Sequence, residues 1–389
     1  MEEPEQNVTS SGNTIPLEYL PHILNYLDGV LNQTKDFSKP VLKTHFEDGY
    51  VPFVFVYSVL LVASVLANLA MGIHIFRLGI HRHDPTCAFL VNIAVANIFH
   101  VSVAFPITLV VILMQNWVFG KFICLSIAML QDIPIHISIF THLLIAYDRY
   151  RFLSYPRRPR IPAFVCVLGT WFFAPCIALP HLIYTTFIDL GNYGSEQNRE
   201  LGRGHQLCIA NLADNSTEYL IGILFGTFIV PLTLSAHLYI KSSQELESLE
   251  RGPSAVAVFD ARLSESRSNS RHGSSTSNEV TLELHGKRWN ESCSASAIAG
   301  FSNYSTSYSS DWNELDVAKE KRTQTHLIGM ISNIAICLLP LQVLRIVRSG
   351  VNETYNNTHH LDMIYLIIVW IGFLPALTTP CIYASWQIS

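Results

Sequence analysis

Seven long apolar runs constrain this chain more than anything else in it. A bilayer interior holds no water, so a crossing segment must satisfy its own backbone N–H and C=O groups. About 20 consecutive apolar residues in a helix do this. The runs at 51–77, 87–116, 122–149, 161–186, 219–241, 323–346 and 361–386 meet that length. Six have uncharged cores longer than about 20 residues, and the core of the third carries one carboxylate, Asp132. The expected fold is an all-α membrane protein, a bundle of seven transmembrane helices over 51–386, preceded by a tail at 1–50. The net charge of −5 is mild, so no nucleic-acid partner is expected. No basic segment with a short apolar core and a cleavage site opens the chain, so no removable signal peptide is expected.

Basic residues in short loops set the orientation. Arg77 and Arg82 follow the first run. Arg149, Arg151, Arg157, Arg158 and Arg160 follow the third, and Lys319, Lys321 and Arg322 precede the sixth. The other side is poorer in such residues, with Lys121, Arg199 and Arg203. The N-terminus is therefore expected outside and the C-terminus in the cytoplasm of a multi-pass plasma-membrane protein. Asn7, Asn32, Asn215, Asn352 and Asn356 each begin an Asn-x-Ser/Thr acceptor on the side expected to be outside, while Asn290 and Asn303 also match but lie in the large cytoplasmic loop and are expected to stay unmodified.

The cytoplasmic loop at 245–318 is rich in serine and lacks apolar periodicity, so it is expected to be disordered. It is either a solvated spacer or a substrate for kinases, where phosphate adds dense charge. Of the eight cysteines, five sit in or at the ends of the runs, and Cys293 lies on the reducing side. Cys124 and Cys208 remain, both facing the oxidising side. A bond between them would pin the loop before the fifth run across the mouth of the bundle.

Several motifs stand in order along the runs. Leu66-Ala-Asn68-Leu lies in the first and Asn92-Ile-Ala-Val-Ala-Asn97 in the second. Trp117-Val-Phe-Gly120 leads to Cys124, Asp148-Arg149-Tyr150 ends the third, and Trp171 lies in the fourth. Pro231 and Tyr239 mark the fifth, Cys337-Leu-Leu-Pro340 the sixth, and Thr379-Pro380-Cys-Ile-Tyr383 the seventh. Together they resemble the motif set of the rhodopsin-like (class A) G-protein-coupled receptors, and the likeness covers about 51–385. It implies a receptor that takes an extracellular ligand and activates a heterotrimeric G protein when the sixth span swings outward. It also implies that receptor kinases and arrestin meet the serine-rich loop.

Arg149 at a helix end is costly to bury unless paired, so its neighbour Asp148 is a natural counter-ion, while the likeness gives Glu320 as an acid able to hold Arg149 in the resting state. Two snorkelling charges that never meet are the alternative. Pro231, Pro340 and Pro380 each remove a helical hydrogen bond, and kinked helices have two packings of similar energy. Ile139 and Ile334 are expected beside Pro231, with Tyr239 and Tyr383 as the tyrosines that rearrange or else as interfacial anchors.

The departures from the pattern are as informative. Asn97 replaces the family's span-two carboxylate, Thr379 its span-seven asparagine and Leu338 its span-six tryptophan, while His142 adds a polar group to the core. Sodium prefers an anionic oxygen cage, so sodium is not expected to inhibit agonist binding. Weak signalling or a decoy role is the alternative within this class. Gln131 stands where amine receptors hold an aspartate, and Phe373 where opsins hold a lysine. Gln131, Asp132 and His136 on the third span, facing Gln342, Arg345 and Arg348 on the sixth, are the expected ligand-binding residues. Asp132 is a functional candidate, or else a tie between helices. The arginines suit an acidic group on a peptide, which places the chain in the peptide branch with a neuropeptide ligand. A membrane enzyme would need convergent metal ligands or a nucleophile beside its base. The sequence has neither a matching acid–histidine cluster nor Gly-x-Ser-x-Gly, and no metal or cofactor is expected.

Overall fold

In the computed structural model, residues 39–79, 84–155, 158–189, 206–210, 216–251, 316–350 and 355–388 are described. Seven of the helices are long and apolar enough to cross a membrane: Tyr50–Arg77, Pro85–Leu113, Gly120–Ser154, Ala163–Tyr184, Thr217–Glu250, Val317–Arg348 and His360–Ile388, spans one to seven. Spans three, five and six run beyond the apolar runs at their cytoplasmic ends. The loop expected from 245 to 318 is therefore helical at both margins, and its remainder, 252–315, lies outside the described residues. Asn7, Asn32, Asn215 and Asn352 also lie outside them, and Asn356 falls in the first turn of helix Tyr355–Phe373.

Prolines shape the spans as their chemistry requires. π-helical turns at His100–Ala104 and Leu224–Ile229 come just before Pro106 and Pro231, where the missing N–H breaks the regular ladder. Pro380 leaves the Ala376 carbonyl without its helical donor. Asn68 Nδ2 donates to that carbonyl at 2.6 Å, and so ties span one to the kink in span seven. Asn97 Nδ2 in turn donates to Asn68 Oδ1 at 3.1 Å. A second buried amide on span two joins it to spans three and four, because Asn92 Nδ2 donates to Thr141 Oγ1 at 2.8 Å while Asn92 Oδ1 accepts from Trp171 Nε1 at 2.8 Å. Asn92→Leu would strand the Trp171 N–H, at a cost of about 1–3 kcal/mol, while Thr141 keeps its bond to the Ile137 carbonyl. The purified variant should melt at a lower temperature than the parent, and an unchanged midpoint would show that these bonds carry no net stability.

The outer face is capped from two sides. Strands β1 (Thr185–Asp189) and β2 (Gln206–Ala210) form an antiparallel hairpin that pairs Phe187 with Cys208, a feature the sequence pattern did not indicate. Cys208 is disulfide-bonded to Cys124 at the head of span three, which fixes the hairpin across the bundle. From the other side, Lys39–Phe46 lies against the end of span two. Lys43 N donates to the Leu113 carbonyl, Asn116 accepts from Val41 N, and Phe46 is buried against Phe53. Lys43 Nζ reaches Asp362 of span seven at 2.5 Å, with His45 Nε2 at 3.4 Å from the same carboxylate.

Candidate functional site

Two charged centres connect span three to span six, one near each face of the bundle. At the end that carries the basic loops, Arg149 Nη1 lies 2.8 Å from Glu320 Oε2. Their side chains are 7% and 19% exposed, so the pair is only partly screened by water. Asp148 favours the charge on Arg149 through space but makes its direct ion pair elsewhere. It is 1% exposed and pairs with Arg160, whose guanidinium also reaches Asp84 at 3.2 Å. Consecutive residues on a helix point about 100° apart, so Asp148 and Arg149 face different neighbours. The sequence leaves Arg160 among the loop cations, because its partners lie on span three and at the cap of span two.

The surrounding residues reinforce that end. Gln324 Nε2 donates to the Tyr239 carbonyl at 3.0 Å and to Ser243 Oγ at 2.5 Å, locking span six to span five. Tyr239 is buried, and its hydroxyl has no hydrogen-bond partner among the described residues. Tyr383 meets His74 of span one at 3.0 Å and packs edge-on against Trp386, while Tyr150 packs edge-on against Tyr155. Higher in the core, Ile139 and Ile334 share one apolar cluster with Phe228 and Leu338. Leu338 thus fills with an aliphatic contact the place the family gives to an aromatic. Pro340 sits inside span six, two residues further along.

Near the outer face, Asp132 is not an unpaired acid. Its Oδ1 lies 2.5 Å from Arg345 Nη1 and its Oδ2 lies 2.7 Å from His181 Nε2. A carboxylate can only accept, so His181 donates through Nε2. Aromatic rings flank this centre, with His181 edge-on to Tyr219 and Tyr219 stacked on Tyr184 at 4.7 Å. His181 and Tyr219 were absent from the expected site. The Pro180-His181 turn at the end of span four was the one available signal.

The other expected ligand residues divide. Gln131 turns to span two and donates to Thr108 Oγ1 at 2.6 Å, and Arg348 lies over the Tyr365 ring at 4.9 Å. His136 and Gln342 are both buried, and His136 Nδ1 has no hydrogen-bond partner among the described residues. Asp132 and Arg345 are therefore brought into contact, while Gln131 and Arg348 are engaged with neighbouring spans. The core site where the family carries its span-two acid offers amide and hydroxyl groups, with Thr379 Oγ1 buried and lacking a partner among the described residues. Exchanging potassium for sodium should leave agonist binding unchanged, and a clear sodium-specific shift in the binding curve would refute this.

Comparison with known proteins places these features. The model of the 7 transmembrane receptor (rhodopsin family) matches residues 67–383. The chain is similar to neuropeptide Y receptor type 6 of Oryctolagus cuniculus, at 21% identity over 84% of this chain and 75% of the relative. It is similar to the neuropeptide F receptor of Drosophila melanogaster, at 28% identity over 51% of this chain and 42% of the relative. The alpha-1A adrenergic receptor of Mus musculus matches at 24% identity over 83% of this chain and 62% of the relative. These relatives are receptors and not enzymes. With a family match across most of its length and seven membrane-length helices, the chain belongs to the rhodopsin family of seven-transmembrane receptors, as a multi-pass protein of the plasma membrane.

Proposed function

We propose that this receptor binds a peptide at its outer face and activates a heterotrimeric G protein, and that the form described here is the resting one. The observation that carries this reading is the Arg149–Glu320 pair, which joins spans three and six at the end bearing the basic loops. Release of Glu320 frees the cytoplasmic end of span six to swing outward about the Pro340 kink and opens a pocket for the G protein. Asp148, Tyr150, Tyr239, Pro380 and Tyr383 complete the switch. Two of the relatives above are neuropeptide receptors by name, which favours a peptide ligand. The ligand meets Asp132, His136, Gln342 and Arg345, with Gln131 and Arg348 at the edges. The basic loops place the N-terminus outside, so Asn7, Asn32, Asn215, Asn352 and Asn356 are glycan acceptors. The serine-rich loop takes phosphate and with it arrestin.

Screening a peptide library for G-protein activation in cells, with Arg149→Ala as the coupling-dead control, tests this directly. A peptide that activates the parent and not the control supports it. Activation that survives Arg149→Ala would reject the role given to the arginine.

A further inference from the structure

Spans three and six touch through ions at both ends. Arg149 and Glu320 join them near the cytoplasm, and Asp132 and Arg345 join them near the outer face. Glu320 and Arg345 lie 25 residues apart on span six, about 37 Å at helical rise, with Pro340 between them. A helix held at both ends cannot pivot about an internal kink until at least one end lets go. We infer that Asp132, Arg345 and His181 form a second, outer clamp that keeps span six in its resting position, and that an acidic group of the ligand opens it by capturing Arg345. This rests on the function proposed above and supplies the ligand chemistry it lacks.

The geometry decides which ion a ligand can take. The Asp132 side chain is 4% exposed and both its oxygens are occupied, one by Arg345 and one by His181. A ligand cation would have to displace a donor from a carboxylate it can hardly reach. The Arg345 side chain is 17% exposed and has further N–H donors in its planar fork, so a carboxylate arriving from outside can bind it. Each new contact made by Arg345 weakens its hold on Asp132. Asp132 keeps the His181 N–H as a donor, and Arg345 remains beside it while sharing its fork with the incoming acid, so neither carboxylate oxygen is left bare. His181 thus acts as the positioning residue that makes Arg345 the mobile partner.

Gln342 allows a test without the natural ligand. It lies one turn before Arg345 on the same face of span six and is buried. Gln342→Glu installs an acid where the ligand's would sit, and Gln342→Leu is its uncharged control. The full-length receptor in lipid nanodiscs, with Cys176, Cys293 and Cys381 replaced by alanine, would carry spin labels at Leu78→Cys and Thr325→Cys. Electron-resonance distances between them then report the swing of span six. Asp132→Asn with Arg345→Gln removes the clamp without leaving a lone buried charge, so it remains informative where either single change unfolds the receptor.

The expected result is a rise of roughly tenfold in the open-to-closed ratio for the double variant, and a ratio for Gln342→Glu roughly tenfold above that of the uncharged Gln342→Leu. Glu320→Gln is the internal standard. If it opens span six while the double variant does not, the outer clamp is overturned and the inner switch stands. If neither opens it, the proposed function fails as well. If the double variant opens span six but Gln342→Glu does not, capture of Arg345 by an acid is overturned.

Discussion

Glu320→Gln should raise basal guanine-nucleotide exchange by a G protein that couples to this receptor. The amide keeps the size of the side chain but removes the charge that holds Arg149 at 2.8 Å. Fully exposed ion pairs contribute about 0–1 kcal/mol, and breaking a fully buried one costs about 3–5 kcal/mol. With the two side chains at 7% and 19% exposure, this pair falls between those limits, at about 2 kcal/mol. That is roughly a thirtyfold fall in the ratio of closed to open receptor. Exchange measured in membranes without agonist checks it, with surface expression matched to the parent. An unchanged basal rate in a variant that still responds to agonist would mean that the pair does not hold the resting state.

The second large effect concerns the outer face. Cys208→Ser should lower the melting temperature of the purified receptor and reduce the amount reaching the cell surface. The bond to Cys124 closes a loop of 84 residues, and such a link contributes about 2–4 kcal/mol, largely by restricting the unfolded chain. The hairpin loses more than an entropic tether. Trp117 N donates to the Gln206 carbonyl at 2.8 Å, so release of Cys208 also loosens the first outer loop. His181 lies at the foot of β1, four residues before Thr185, which connects this loss to the Asp132 centre. Cys124→Ser, and both changes together, should match the single variant, because each removes the same bond. A double variant markedly worse than either single would assign the loss to packing of the cysteines.

These effects were unequally legible in the sequence. The spans announce themselves because lipid forces long uncharged runs, and a run needs no partner to be recognised. The prolines mark kinks for an equally local reason. The meeting of Arg149 with Glu320 followed only through the family likeness and the spacing of Glu320 from Pro340. Pairings across spans depend on how each helix is turned about its axis. In a soluble helix the polar stripe reveals that angle, but lipid is as apolar as the bundle interior, so the contrast fades. Asp148 was therefore given to Arg149, its sequence neighbour, although its partner is Arg160 on the approach to span four. Asp132 was read as either a ligand site or a tie between helices for want of the same angle. It proved to join Arg345 and His181. The β1–β2 hairpin and the docking of Lys43 on Asp362 are made by loop backbone and by contacts distant in sequence, which no local pattern encodes.

For a ligand bound outside to act on a G protein within, the face bearing Arg149 and Glu320 must lie inside the cell and the face bearing Asp132 and Arg345 outside. Antibody staining of one receptor tagged at both termini, before and after the cells are permeabilised, measures this. The N-terminal tag should stain intact cells and the C-terminal tag only permeabilised ones. Staining of the C-terminal tag on intact cells, or of neither tag until permeabilisation in a receptor shown to be at the surface, would contradict it.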